Sequence, residues 1–345
     1  MSFKKRPIIV VFLLAVFYWH VSAENINAQA NNDVQARIYV NHASQHIRAR
    51  NYERAIESID AAFNLNINDR YLKAQAYYAR SYAYFHLENY DEAFNDIMRS
   101  MEFDSWVNSF ELLYVIYHRT ERYEDALLAI NRAIELSAQN LSLLRNRAVV
   151  YTDLREFENA FNDINYVLSI EPQSAAALST KSSIYAFMGE HQEALVWVDK
   201  AISIDPNNPD FWVKRGAIYY EMGNLDEALI GYSRAIGFDT RRHTVYEIRG
   251  NIFKKLGRTA EALNDFNMAI RLAPNVLRLY HARGILHLEM GNYLECLNDI
   301  VEYARLTDDE EVQRKIQRFQ EELMQDIEAH TQLKQFAELL ERFFK

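Results

Sequence analysis

The chain holds one cysteine, Cys296, in 345 residues, so no internal disulfide can brace it. Proline is scarce at five residues, and all nine glycines fall between Gly189 and Gly291. The first half must therefore turn its corners without glycine. Alternating β-branched runs are few, which argues against any sheet. Apolar residues recur instead at i, i+4 and i+7 over most of the length, the period of helices. Signatures of catalysis are missing: there is no HExxH, no glycine-rich phosphate loop and no Gly-x-Ser-x-Gly turn. No enzyme activity, cofactor or metal is expected.

The N-terminus is a different object from the rest. "KKRP" precedes "IIVVFLLAVFYW" and then "HVSAE", which gives a basic start, a short apolar run and a small-residue exit. The run is shorter than the roughly 20 residues that a membrane-spanning helix needs. Residues 1–23 are thus predicted to be an export signal cleaved after Ala23, with an uncleaved anchor as the alternative. The destination would be a periplasm or the medium, or an ER lumen in a eukaryote. Cleavage removes Lys4, Lys5 and Arg6 and no acid, taking the formal charge from -10 to -13. Such a chain repels phosphate, so neither nucleic acid nor, after cleavage, a membrane is an expected partner.

Internal repetition organises the remainder. Small residues stand at Ala55, Ala93, Ala126, Ala160, Ala194, Ala228, Ala262 and Cys296, with spacings of 38, 33, 34, 34, 34, 34 and 34. Ahead of these anchors run sets such as Trp212, Gly216 and Tyr219, or Tyr246, Gly250 and Phe253, which share one face of a first helix. Behind them, Ala228, Tyr232 and Ala235 or Ala262, Phe266 and Ala269 share one face of a second. Gly189, Gly223, Gly257 and Gly291 are predicted to end the first helices in left-handed conformation. Asp91, Glu124, Glu158 and Asp226 open the second helices, and Pro172, Pro206 and Pro274 follow their ends. The earlier elbows carry Arg50, Glu88, Glu121 and Arg155 instead of glycine. Gly231 and Gly237, inside a second helix, are read as a softer joint.

The segments "LSTKSSIYAFMGEHQEALVWVDKAISIDP" and "YEIRGNIFKKLGRTAEALNDFNMAIRLAP" resemble the tetratricopeptide repeat family, and the eight anchors extend the resemblance over about residues 36–308. It implies an all-α solenoid: about eight stacked helix-turn-helix units in a right-handed superhelix, first helices lining a concave groove. Residues 24–35 are then a polar linker, and two apolar helices across 309–345 cap the open end. The apolar residues Leu339 and Phe344 leave a homo-oligomer through 331–345 as an alternative.

The resemblance also implies a non-enzymatic scaffold that holds a protein or peptide segment in its groove. Carried over by unit, the groove positions are Tyr78, Tyr82 and Phe85 with His118 nearby, then Arg145, Val149 and Ser183, then Lys214, Tyr220, Asn251 and Lys254. The tyrosines either meet the partner or pack between first helices. A local basic strip runs through Arg241, Arg242, Arg249, Lys254, Lys255 and Arg258 against Glu247 and Glu261. It either receives an acidic segment or pairs with acids of neighbouring units. Some family members grip a terminal carboxylate with Lys and Asn, but Val149 and Thr180 break that pattern here. His42 and His46, four apart, have the spacing of a two-His metal site, yet no third ligand is marked, so they are read as inward packing residues. Cys296 is read as a packed anchor.

Overall fold

A computed structural model of the chain describes residues 29–307, together with 310, 313–315 and 317–318. The expected export signal, and apart from those few residues the expected capping helices and oligomer contact, lie outside it. Among the described residues there is no strand, and no helix is long and apolar enough to cross a membrane. The helices pack in successive antiparallel pairs, an α-solenoid arrangement, and group into two compact units, divided along the chain between Ile170 and Glu171.

The first unit contains α1 (residues 29–48), α2 (Tyr52–Phe63), α3 (Arg70–His86), α4 (Tyr90–Phe103), α5 (Val107–Arg119), α6 (Tyr123–Leu136), α7 (Leu141–Asp153) and α8 (Phe157–Ile170). The second contains α9 (Ala175–Phe187), α10 (His191–Ile204), α11 (Pro209–Glu221), α12 (Leu225–Phe238), α13 (His243–Lys255), α14 (Thr259–Leu272), α15 (Leu277–Glu289) and α16 (Tyr293–Leu306).

The elbows share one geometry whatever residue occupies them. Each first helix closes with a hydrogen bond five residues back, from the N–H of Asn89 to the carbonyl of Tyr84 at 3.0 Å, of Glu156 to Tyr151 at 2.8 Å and of Asn224 to Tyr219 at 2.9 Å. This closure needs a left-handed residue just before the donor. Gly189, Gly223, Gly257 and Gly291 supply it in the second unit, while Arg50, Glu88, Glu121 and Arg155 take φ near +60° in the first.

Within a pair the backbones approach closely. The anchor residues Ala55 to Cys296 are all fully buried. Opposite five of them the first helix carries serine or glycine, at Ser81, Ser182, Gly216, Gly250 and Gly284. Ser81 donates to the Ala93 carbonyl at 2.6 Å and Ser182 to that of Ala194 at 2.7 Å. In α11 a Cβ added to Gly216 would lie 3.2 Å from the Ala228 carbonyl oxygen. Gly231 corrects the expectation of a soft joint: its Cβ would fall 2.7 Å from the Gly216 backbone and 2.9 Å from the Trp212 carbonyl. It is a close-packing residue, whereas Gly237 faces open space.

Buried ion pairs at a spacing of sixteen add a second repeating device. Arg80 with Asp96, Arg147 with Asp163, Arg249 with Asp265 and Arg283 with Asp299 form two-pronged pairs between first and second helices. The same arginines reach back to the preceding second helix, Arg147 to Asn131 at 2.9 Å, Arg249 to Ser233 at 3.0 Å and Arg283 to Asn267 at 2.6 Å. Three helices are tied by one guanidinium. The corresponding positions are Leu113 and Ala129 in one pair, Lys181 and Trp197 in another, where the ammonium lies 4.2 Å from the indole centroid.

The array starts earlier than expected. Residues 29–35 are helix rather than linker, because α1 braces the long connection between α2 and α3. Gln29 donates to the Asn66 carbonyl at 2.7 Å, Asp33 accepts from the Asn68 N–H at 2.8 Å, and Arg37 pairs with Asp69 at 2.7 Å. His42 is exposed, not an inward packing residue, and His46 is partly so. Ala36, Val40 and Ala43 fill that role.

Candidate functional site

Side chains at Tyr71, Gln75, Tyr78 and Tyr82 follow the i, i+4, i+7, i+11 spacing that puts them on one face of α3. The Asp69 carboxylate caps this helix by accepting from the Leu72 N–H at 3.1 Å, which fixes where Tyr71 leaves the first turn. On α1 the facing residues are Val40, Asn41, Ser44, Ile47 and Arg48. Trp106 stands just before α5 and Asn108 in its first turn. Together they line a cleft of ≈ 480 Å³ inside the first unit.

Three aromatic rings shape one end. Tyr71 meets Trp106 edge-on at 5.5 Å between centroids, and Tyr78 meets it edge-on at 6.2 Å. Tyr71 remains 51% exposed, so this wall is open to a ligand. Burial, with Tyr82 and Glu111 adding to it, pushes the Tyr78 phenol up to about 12, and it stays a neutral O–H donor. Among the described residues the amides of Asn41, Gln75 and Asn108, the guanidinium of Arg48 and the indole N–H of Trp106 are hydrogen-bonded to no protein group.

Tyr78 and Tyr82 are the two sequence-derived site residues that this cleft brings together. Phe85 lies further along α3 and packs on Tyr90 at 5.8 Å. His118 Nε2 is 2.7 Å from the Asp153 carboxylate, a strut from α5 to α7. Arg145 lies beside Tyr114, whose phenol burial pushes up to about 12.

In the second unit the expected residues other than Asn251 are engaged within the protein. Lys214 donates to the Ser179 carbonyl at 2.8 Å and to the Ser183 hydroxyl at 2.5 Å, tying α11 to α9. Burial pushes its ammonium down to about 8, against the pull of Asp210. Ser183 sits inside α9, whose backbone N–H groups are turned to their own helix. Lys254 pairs with Glu289 at 2.9 Å, Lys255 donates to the Tyr220 hydroxyl, and Asn251 is exposed. The rest of the basic strip is paired too, Arg241 and Arg242 with Asp239, Arg242 also with Asp210 at 2.5 Å, and Arg258 with Glu261 at 2.9 Å. Cys296 is fully buried, and burial pushes its thiol up to about 12, as suits a packing residue.

Val40, Asn41, Arg48, Tyr71, Gln75, Trp106 and Asn108 were not singled out by sequence. Period alone gives Gln75 and Tyr71, which share the face of Tyr78. Trp106 precedes its helix, where helical periodicity carries no signal.

Three family profiles match the chain: one described as "Tetratricopeptide repeat" over residues 40–105, one as "TPR repeat" over 183–223, and one as "Tetratricopeptide repeat" over 243–276. This is a tetratricopeptide repeat protein. Its repeat profiles fall in both units. Yeast Tom70 is similar in structure, with a TM-score of 0.63 and 18% identity over 84% of this chain and 60% of Tom70. A tetratricopeptide repeat protein from Parabacteroides merdae gives 0.45 and 20%, covering 78% of this chain and 98% of that one. At 18% identity the likeness to Tom70 is one of fold. No curated protein matches. Among the described residues no cluster of three or more His, Cys, Asp or Glu side chains is placed to hold a metal.

Proposed function

We propose that this tetratricopeptide repeat protein is a non-enzymatic scaffold that holds an extended segment of a partner polypeptide in the α1–α3–α5 cleft. One observation carries the reading. In that cleft aromatic rings stand next to amides with no protein partner, whereas Lys214, Lys254, Lys255 and Tyr220 in the second unit are bonded within the protein. An extended backbone presents N–H and C=O groups at regular intervals, and an amide side chain can donate to one and accept from the other. Tyrosine and tryptophan give large contact area at small entropy cost. The pattern of residues 1–23 supports action in an exported compartment.

The test is a peptide array probed with the purified chain. Trp106→Ala, or Tyr78→Ala with Tyr82→Ala, should lose binding about tenfold per ring removed, while Lys254→Glu leaves it unchanged. Loss in Lys254→Glu alone would move the site to the second unit.

A further inference from the structure

We infer that the segment held in the cleft is acidic and that Arg48 selects it, an inference that rests on reading the cleft as a polypeptide site. Twelve residues line the cleft, and Arg48 is the one charged side chain among them. No carboxylate is present in the lining of a chain whose formal charge is -10. An acidic ligand meets repulsion over most of such a surface. Here it does not.

Three cations of the first unit are held elsewhere. Arg37 pairs with Asp69, Arg80 with Asp96 and Asp60, and Arg70 donates to the Phe103 and Glu102 carbonyls. Arg48 is exposed and, among the described residues, pairs with no acid. Its planar fork matches a carboxylate at two points. Glu111, the acid that acts on Tyr78, lies outside the lining.

The amides decide the kind of acid. Asn41 comes from α1, Gln75 from α3 and Asn108 from α5, so a backbone crossing three helices finds an amide on each. A nucleic acid strand would also stack on Tyr71 and Trp106, but it carries a charge at every residue against one arginine, and the net charge opposes it.

The experiment measures fluorescence polarisation with the full chain and three fluorescein-labelled pools of 12-residue peptides. The pools share randomised apolar and aromatic positions, and their polar positions are filled by Asp and Glu, by Asn and Gln, or by Lys. A 12-residue oligothymidine serves as the nucleic acid probe. The acidic pool should bind at least about fivefold tighter than the amide pool and lose affinity with added salt. Arg48→Gln should remove that preference, and Arg48→Glu should turn it toward the lysine pool. Equal affinity of acidic and amide pools, or a preference that survives Arg48→Gln, would overturn the inference. If the amide pool still depends on Tyr78 in that case, the polypeptide reading stands alone. No binding of any pool, or tighter binding of oligothymidine than of all three, removes both.

Discussion

Arg147 and Asp163, sixteen residues apart, face each other through two hydrogen bonds of 2.8 and 2.7 Å, with the Asp163 side chain 10% exposed. The same relationship recurs at Arg80, Arg249 and Arg283, and the chain itself records its apolar replacement as Leu113 with Ala129. Breaking one partner leaves a charge in a poorly solvated site.

Arg147→Leu or Asp163→Ala alone should therefore destabilise the first unit by about 2–4 kcal/mol, while the double substitution should lose under about 1 kcal/mol. Urea unfolding of the four proteins checks this, with hydrogen exchange in α7 and α8 to locate the loss. Additive losses would show that the pair is not a unit.

Two glycines of α12 should behave oppositely. Gly231→Ala puts a methyl against the Gly216 backbone and should cost about 1–3 kcal/mol. Gly237→Ala meets nothing within 4 Å and should gain about 0.5–1 kcal/mol from helix propensity. Thermal unfolding distinguishes the two signs.

Glu88 at φ 62° and Glu121 at φ 58° occupy the left-handed elbow position that glycine fills in the second unit. Either residue strains its backbone by about 1–2 kcal/mol, and glycine's greater chain entropy offsets part of the relief. Glu121→Gly is thus expected to raise stability by about 0.5–1 kcal/mol, while Gly223→Ala lowers it by a similar amount. Melting temperatures of the two variants provide the check.

Lys214 sets a pH dependence. Burial holds its folded pKa at about 8, below the ordinary lysine value of 10.5, so between these pH values the unfolded chain binds the extra proton. Stability of the second unit should rise as pH goes from about 8 to 10.5, by on the order of 1 kcal/mol once solvent screening of this partly exposed side chain is allowed for. Lys214→Met should flatten that rise, measured as unfolding midpoints against pH.

Much of the fold was legible in the sequence because the anchors from Ala55 to Cys296 must be small wherever two helices cross. The elbows were legible in the second unit because Gly189, Gly223, Gly257 and Gly291 fill the left-handed position there. The arginine–aspartate spacing was equally periodic, but Asp96 or Asp163 within a helix looks like any solvated acid until its partner sixteen residues away is seen. The basic strip left two readings open for a related reason. Lys254 and Arg242 meet Glu289 and Asp210, which lie 35 and 32 residues away along the chain. The cleft was half legible: Tyr78 and Tyr82 follow the helical period, while Trp106 precedes a helix and Arg48 ends one.

The most direct test of the polypeptide cleft places a photoreactive benzophenone amino acid at Asn108 or at Asn251 and irradiates each protein with the tightest peptide from the array. A crosslinked adduct at position 108, lost when Trp106→Ala is added, is the expected result. An adduct at position 251 with none at 108 would contradict it and place the partner on the second unit.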